Sequence, residues 1–527
     1  MPKAETPQRA QRNFLGDFDA MLSALSLDYV DCSRYETSGY ADFIGRLYTM
    51  NSGMFQSPIY CDHMLTQMAI HYLTWFQDPA LRLHVGPNAA WHVDISAWKL
   101  QRLGDELYVL AAPANSGIVR GERIVAVNGM SLDEIREEVE RTLRTTVSPA
   151  DPEREDWSIV LAFANHATVV DAKGEQRRVH LVPGESAVTD RMRKVYAERA
   201  AAKQGEASAD EASEQAAGIE LEGAGVEAAA GAGELEGADE SAAAEAAELE
   251  GKDDDGVAEV AWPACSFRLV DGVAVLRVAR VGDAEFAAQL EEAKAGLRLA
   301  LSDGGAKGIV IDVRDAWGGV QEDAYKLVDL VLAPGTRAKP ADVFGKSGIV
   351  LNCSRRNVDS KLGELRVIRR RLEASGATEE DFTYIDDLMA ELDGRRGKGA
   401  FVDESDYYGD VTFESVQQAG EGLAVAVLVD RDTCDAAEWL VRAAKAAGYA
   451  RIVGRATRGS IDNTCPRSLR LDGDFQFTFP TARYLSAEGE FATLGKGIRP
   501  DVHLAWSPEQ LERDVDLDGA CRVVLGE

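Results

Sequence analysis

Residues 421–464 read EGLAVAVLVDRDTCDAAEWLVRAAKAAGYARIVGRATRGSIDNT, and this stretch decides the fold. The apolar run LAVAVLV (423–429) predicts a strand that is buried on both faces. Apolar residues at helical spacing then predict a helix over 435–447, which Gly448 ends, and a second short strand over 451–454. A tight turn between a buried strand and a helix presents a side chain and several backbone N–H groups at the helix N-terminus. That is a common place for a nucleophile or an anion.

Three further segments surround this unit: IVIDVRDAWGGVQEDAYKLVDLVL (309–332), ARYLSAEGEF (482–491) and GKGIRPDV (495–502). Together with 421–464, and in the same order and spacing, they resemble the motifs of the tail-specific or C-terminal-processing peptidases, family forty-one of the serine peptidases. The resemblance covers most of residues 265–505. It implies a crotonase-like α/β core that acts on peptide or protein segments and needs no cofactor.

The sequence departs from that family at each catalytic position. The nucleophilic serine of the family falls on Asp435, its lysine base on Ser460 and its glutamine on Thr464. In another branch the base is a histidine, and its position in QDPALRL (77–83) is occupied by Ala80. Peptide-bond hydrolysis is therefore expected to be lost or severely impaired.

The resemblance also implies an oxyanion hole. Its backbone donors would be Gly318 or Gly319, in the loop after a buried strand, and Ala436, beside the nucleophile position. Glycine allows such donors to approach a substrate closely. A carboxylate at Asp435 lies at a helix N-terminus, which favours an anion, so we expect it to occupy these donors itself.

Three rescues of catalysis remain open. Cys434 could act as a displaced nucleophile, although the Asp435 carboxylate beside it would raise the pKa of the thiol. His84 could act as a displaced base if it turned toward the cleft. A carboxylate-based hydrolase could use Asp435, Asp432 and Asp462, but acidic residues in turns are more often caps.

The chain divides into five predicted segments. Between the helical start and the core, GERIVAVNG (121–129) resembles the turn and strand of PDZ domains, which bind extended peptides along a sheet edge. The segments are a small helical N-terminal domain (1–95), a PDZ-like domain (96–185), an acidic Ala/Glu/Gly-rich disordered linker (186–260), the peptidase-like core (261–510, with a lid-like insertion at 335–420) and a C-terminal helix or tail (511–527).

Composition excludes several classes of function. The net charge of −32 would repel nucleic acid. Residues 204–258 hold 17 Asp or Glu and one Lys, so half of that charge is local. No apolar run approaches the roughly 20 residues needed to span a bilayer. The N-terminus lacks the apolar region of a secretory signal, which predicts a cytoplasmic protein.

Cysteine usage agrees with a reducing compartment. The seven cysteines are widely spaced and odd in number, which predicts free thiols rather than disulfides. Cys61 and His63 lie close together but lack the second ligand pair of a zinc site, so no metal is expected.

Three functions remain: a peptidase homologue that binds extended peptides without efficient hydrolysis, an active serine-type peptidase with a displaced nucleophile or base, and a non-catalytic scaffold.

Overall fold

A computed structural model describes residues 7–33, 69, 72–73, 76, 78–85, 97–114, 116–142, 155–162, 164–181, 263–345, 348–376, 379–403, 411–420, 422–471, 475–485 and 493–527. These residues all belong to one compact unit. The apolar residues of DHMLTQMAIHYLTWF (62–76) recur at spacings of three and four, which predicts a helix. Most of that segment, the Cys61–His63 pair and the predicted acidic linker lie outside the described residues.

The described strands are short except for two near the C-terminus. They are β1 (Arg82–Val85), β2 (Lys99–Leu103), β3 (Glu106–Ala111), β4 (Arg123–Val127), β5 (Met130–Ser131), β6 (His166–Val170), β7 (Gln176–His180), β8 (Cys265–Val270), β9 (Val273–Val278), β10 (Gly308–Asp312), β11 (Arg337–Ala338), β12 (Ile349–Asn352), β13 (Ala400–Asp403), β14 (Phe413–Glu414), β15 (Val425–Val429), β16 (Arg451–Gly454), β17 (Asn463–Leu471), β18 (Phe475–Tyr484) and β19 (Val502–His503).

The described helices are α1 (Pro7–Leu27), α2 (Leu132–Thr142), α3 (Ser158–Ala162), α4 (Ala284–Ser302), α5 (Gln321–Val328), α6 (Pro340–Phe344), α7 (Arg355–Ser375), α8 (Glu379–Gly394), α9 (Asp435–Ala447) and α10 (Val515–Leu525). Helix α9 has the predicted bounds, and Gly448 ends it in the left-handed conformation. Among these helices, none is both long enough and apolar enough to cross a membrane.

A six-stranded sheet in the order β19-β16-β15-β10-β9-β8 forms the centre of the core. Its pairs are parallel except for β8 with β9. Alternate residues of the central strands enter two apolar layers: Ile309 and Val427 pack with α4 and α9, whereas Val310 and Leu428 pack with α10. All five residues of β15 are buried, as predicted for a strand covered on both faces.

A second sheet joins the two ends of the chain. Its order is β1-β18-β12-β13, with β17 also paired to β18. Phe18 and Tyr72 from the N-terminal part share an apolar cluster with Phe477 and Phe479 of β18. The described part of the predicted N-terminal domain therefore packs as one layer with the C-terminal core.

Residues 97–181 contain a third sheet, in the order β2-β3-β4-β6-β7 with β5 beside β4. Helix α2 contributes Leu132 and Ile135 to its core, which also buries Trp157. The predicted strand and helix of the PDZ-like motif are present as β4 and α2. The assignment of this region as a PDZ-like domain stays a prediction.

Two parts of the chain differ from expectation. The insertion holds a long Arg-rich helix, α7, before the predicted helix α8. In SPEQLERDVD (507–516), the residues Ser507, Pro508 and Gln510 predict a capped helix start, but the structure has only the four-residue 3-10 helix Pro508–Leu511 there, with no hydrogen bond from the Ser507 side chain. The terminal helix begins later, where the Asp514 side chain accepts a hydrogen bond from the Leu517 N–H.

Candidate functional site

Asp435 occupies a sharp turn between β15 and α9. Cys434 before it is extended, with φ −145° and ψ 178°. Asp435 itself has φ 54°, in the left-handed region, which costs a non-glycine residue about 1–2 kcal/mol. Strained strand-to-helix turns of this kind expose the nucleophile in several hydrolases.

The Asp435 carboxylate lies against the glycine loop after β10. Its Oδ2 accepts a hydrogen bond from the Gly318 N–H at 3.1 Å. The Gly318 carbonyl accepts one from the Ala436 N–H at 3.2 Å. Two of the backbone donors assigned to the oxyanion hole are therefore already engaged within the protein.

Gly319 brings the same loop onto the first turn of α9. A Cβ added at Gly319 would lie 3.1 Å from the Cβ of Ala436 and 3.0 Å from Val281. The structure thus places Gly318, Gly319 and Ala436 together around Asp435. Their role as oxyanion donors stays a prediction.

Ser460, at the position of the family's lysine, takes part in a buried network. The Glu438 carboxylate accepts hydrogen bonds from the Gly459 N–H at 2.7 Å, the Ser460 N–H at 2.8 Å, the Ser460 hydroxyl at 3.1 Å and the Thr457 hydroxyl. The Ser460 Oγ also accepts a bond from the Asp435 N–H at 3.1 Å. Ser460 therefore joins Glu438 to the turn that carries Asp435.

Sequence analysis assigned no role to Glu438. The available signal was an acidic residue among the apolar positions of α9, and the structure shows that this residue is fully buried. Burial raises the pKa of the Glu438 carboxyl, and the hydrogen bonds from Thr457, Ser460 and Gly459 act in the opposite direction. The carboxyl fixes the loop that follows β16 to the helix that follows β15.

Cys434 is poorly suited to act as a nucleophile. Its side chain is buried, with 1% exposure. Burial and the adjacent Asp435 carboxylate raise the pKa of the thiol to about 12, although Arg458 and Arg82 act in the opposite direction. The thiol donates to Asp435 Oδ2 at 3.4 Å. Because the thiolate is the reactive form, the thiol is protonated and unreactive near pH 7.

The other two assigned positions have structural contacts. The Thr464 hydroxyl, on β17, donates to the Tyr484 hydroxyl at 3.4 Å. Ala80 offers only a methyl group, and its N–H donates to Asp78 Oδ1 at 2.9 Å. Asp78 is buried and also accepts hydrogen bonds from the Tyr29 hydroxyl at 2.8 Å and the Asn463 amide at 2.6 Å. The turn at residues 77–80 therefore contacts β17, the strand that follows the loop of Ser460. Ala80 in that turn provides no catalytic base.

The remaining candidates are not brought together. His84 lies exposed on β1. Asp462 accepts bonds from the Thr493 N–H and hydroxyl at 2.8 and 2.9 Å, which is a structural role. Asp432 instead lies with Asp315 and Asp430, so the structure does not support a joint site of Asp432, Asp435 and Asp462.

Comparison with known families agrees with this geometry. The model of peptidase family S41 matches residues 272–504. This part of the chain, a little under half of its length, is therefore similar to peptidase family S41. Proteolysis of peptide or protein substrates is the activity of that family. No curated protein was found to match the chain.

Solved structures share the fold of the S41 domain and its surroundings. Mature CPAF is 13% identical with a TM-score of 0.55, and the match covers 98% of this chain and 97% of that one. Mature CPAF complexed with lactacystin is 14% identical with a TM-score of 0.54, covering 98% and 100%. The photosystem II D1 C-terminal processing protease is 16% identical with a TM-score of 0.35, covering 100% and 98%. At such identities the two CPAF structures show a common fold.

Three carboxylates lie beside the S41 site, on its two loops. Ligand atoms of Asp315, Asp430 and Asp432 lie within 4.8 Å of one another. Lys99 of β2 pairs with Asp315 at 2.6 Å. The Asp315 N–H donates to Asp430 Oδ1 at 3.0 Å, which ties the glycine loop to the turn before Asp435.

Arg431, in the same turn, reaches into the predicted PDZ-like region. Its guanidinium donates to the Leu100 carbonyl at 2.7 Å and to the Glu155 carbonyl at 3.2 Å. The turn that carries Asp435 is thus held between the S41 sheet and residues 97–181.

Replacing Asp430 with Asn should make the protein more stable at neutral pH. Burial, followed by the charges of Asp315 and Asp432, raises the pKa of Asp430 to about 6. Its Oδ1 accepts all four of its hydrogen bonds, including that of Thr433 N–H at 3.0 Å, and an amide oxygen can accept them too.

A raised folded-state pKa means that the native state binds more protons than the unfolded state between about pH 4 and 6, so stability falls as pH rises through that window. We expect Asp430→Asn to remove this fall. The free energy of unfolding should rise by about 1–3 kcal/mol at pH 7.5 and change little at pH 4. Urea unfolding at both pH values, beside the exposed-site control Asp105→Asn, measures the difference. An equal shift at both pH values would contradict the expectation.

Proposed function

We propose that this protein is an S41-fold peptide-binding protein in which hydrolysis is lost or severely impaired. The observation that carries this is the hydrogen bond between Asp435 Oδ2 and the Gly318 N–H at 3.1 Å. A carboxylate stands where an S41 enzyme needs a neutral nucleophile. It engages a donor that would otherwise stabilise the oxyanion of the tetrahedral intermediate.

The residues at the family's base positions support the same proposal. The Ser460 hydroxyl, at the lysine position, donates to Glu438 and accepts from the Asp435 N–H. Ala80, at the histidine position of the other branch, has no titratable group. The Cys434 thiol has its pKa raised to about 12, so it does not replace the missing nucleophile near pH 7.

The contacts around the proposed cleft support peptide binding. The glycine loop, the turn at Asp435 and the loop at Ser460 are joined by direct hydrogen bonds. Trp317 and Val320 flank the two glycines and are 45% and 58% exposed, so an apolar rim borders the site. Such a rim suits an extended peptide better than a charged small molecule.

Residues 96–185 are proposed to be a PDZ-like domain that recruits peptide to this cleft. Their five-stranded path and helix α2 support this, as do the contacts from Arg431 to Leu100 and Glu155. The six described cysteines are free thiols, which favours a cytoplasmic location.

The test combines cleavage with binding. Hydrolysis of an unstructured casein-type substrate is measured for the wild type, Asp435→Ala, Cys434→Ala and Asp435→Ser. Anisotropy of labelled casein-derived peptides gives their affinity. We expect no cleavage by the wild type. Asp435→Ser should bind peptide about tenfold more tightly, equivalent to about 1.4 kcal/mol, because the Gly318 N–H and the site become free of the carboxylate.

The matched control is Asp432→Ser, which removes a carboxylate from the same turn without freeing the Gly318 N–H; it should leave the affinity nearly unchanged. Cleavage by the wild type would overturn the proposal. Its loss in Cys434→Ala would identify a displaced nucleophile, and its loss only in Asp435→Ala would identify the carboxylate. Unchanged peptide affinity in Asp435→Ser would instead favour a scaffold that does not use the cleft.

A further inference from the structure

Strands β6 and β7 form a hairpin with a rigid turn at the edge of the third sheet. Asp171 Oδ1 accepts bonds from the Lys173 N–H at 2.8 Å and the Glu175 N–H at 2.9 Å. The Gly174 N–H donates to the Asp171 carbonyl at 3.1 Å. These bonds fix the turn, and the turn fixes the register of the two strands.

In that register His166 stands directly opposite His180. The His166 N–H donates to the Asn128 side chain and its carbonyl accepts from the Asn128 N–H, so both backbone groups point away from β7. The neighbouring bond across the hairpin runs from the Leu181 N–H to the Asn165 carbonyl at 3.0 Å. His166 and His180 therefore form a non-hydrogen-bonded pair, in which opposed side chains come closest.

The two imidazoles lie on the outer face of the sheet. Ala167 and Val179, which alternate with them, are buried in the core. His166 is half-buried and His180 is exposed. Their ring centroids are 6.4 Å apart, with the ring planes inclined at 57°.

This separation fits one metal ion between the rings. A nitrogen lies about 1.2 Å from its ring centre and binds Zn²⁺ at about 2.1 Å, so a shared ion permits centroid separations up to roughly 6.5 Å. The observed separation of 6.4 Å lies within this limit only for a nearly linear arrangement of the two nitrogens and the metal. A tetrahedral angle requires roughly 5.4 Å, so the exposed His180 ring must turn toward His166 when the metal binds.

The Arg178 guanidinium, on the same face one residue pair along, disfavours a cation and limits the affinity of the site.

We propose that His166 and His180 form a two-imidazole site for a divalent transition metal, of the Zn²⁺ or Cu²⁺ class. Imidazole donors favour these ions over Mg²⁺ and Ca²⁺, which require oxygen ligands. Water completes the coordination. The site lies on the hairpin of residues 166–180 and is separate from the peptidase site, so it depends on neither the presence nor the absence of catalysis.

The test is titration of the full chain with Zn²⁺ alone at pH 7.5, by calorimetry, for the wild type, His166→Gln, His180→Gln and His503→Gln. His503 is exposed on β19 and is the matched control. Comparison between variants separates this site from any other thiol or imidazole of the chain. Loss of either imidazole should lower the affinity for one equivalent of Zn²⁺ by at least roughly 10–100-fold. That is the loss found when only a hydrogen-bond partner of a metal ligand is removed.

The same weakening in both hairpin variants, with none in His503→Gln, supports the site. Electron paramagnetic resonance of one equivalent of Cu²⁺ should then show two nitrogen ligands in the wild type and one in either variant. Unchanged binding in both variants, or an effect of only one histidine, would overturn the proposal. Circular dichroism checks that each variant is folded.

Discussion

Glu438→Ala is expected to lower the free energy of unfolding by about 3–5 kcal/mol, the range seen when one partner of a buried charged network is removed. The variant leaves the Gly459 and Ser460 N–H groups and two hydroxyls without their acceptor in a fully buried place. For a domain of this size, the loss corresponds to a fall in Tm of about 6–20 °C. Thermal unfolding followed by circular dichroism measures it.

Glu438→Gln is the matched control, because it keeps the volume and one oxygen acceptor. The loss in free energy of unfolding should be smaller for Glu438→Gln than for Glu438→Ala. It should still exceed that of a surface substitution, because the amide N–H₂ of the glutamine faces backbone donors. A fall in Tm below about 2 °C for the alanine variant would show that the loop after β16 finds other acceptors.

Gly497→Ala is expected to lower the free energy of unfolding by about 4–6 kcal/mol, a loss similar to that of Glu438→Ala. Such a loss is exceptional for the addition of a single methyl group. Gly497 has φ +69°, and a Cβ there would lie 1.8 Å from the Thr457 carbonyl oxygen, a backbone atom. That backbone cannot yield without breaking the bond from the Ile498 N–H to the Thr457 hydroxyl. The clash therefore reaches the network around Glu438.

Gly448→Ala separates conformational strain from the clash. Gly448 has φ +68°, almost the same as Gly497, but a Cβ there would meet nothing within 4 Å. It should cost only the roughly 1–2 kcal/mol of a left-handed non-glycine residue. Chemical denaturation of both variants gives the difference. Equal losses would mean that backbone strain alone explains the effect at Gly497.

Local pattern was enough to predict the centre of the fold. The apolar run of β15 and the periodic alanines and leucines of α9 each have one dominant period, and Gly448 marks the helix end. FRLVDGVAVLRVARV (267–281) likewise predicts two short strands around Asp271-Gly272, and these are present as β8 and β9. The pattern of each of these elements is complete within a short window of sequence, so its type can be predicted without knowing its packing partners.

Other elements depend on distant partners and were missed. Helix α7 has only a narrow apolar stripe, which includes Val358 and Leu362. Its many arginines make the helical spacing of these apolar residues difficult to recognise in the sequence. Strands β17 and β18 pack on α1 and β1, which come from the other end of the chain. The helix start expected at Ser507 failed because Asp514 provides the cap of α10 instead.

The sequence was enough to predict which residues form the candidate site, but it predicted fewer of the contacts between them. The apolar pattern placed Asp435 at the turn between strand and helix, and the resemblance to the tail-specific peptidases placed Gly318 in the facing loop. The contacts of Lys99 with Asp315 and of Arg431 with Leu100 join segments more than 200 residues apart, and no spacing rule encodes them. The burial of Glu438 follows from its position on the apolar face of α9, once the helix is packed.

Strand β1 has a consequence for how the protein is made. It pairs with β18, about 400 residues later in the chain, and Phe18 of α1 shares an apolar cluster with Phe477. At a synthesis rate of about 5–20 residues per second, the N-terminal helix waits roughly 20–80 s on the ribosome before its partner strand emerges. The first layer to be translated is therefore the last to be completed, and its apolar face needs protection from aggregation until translation nears its end.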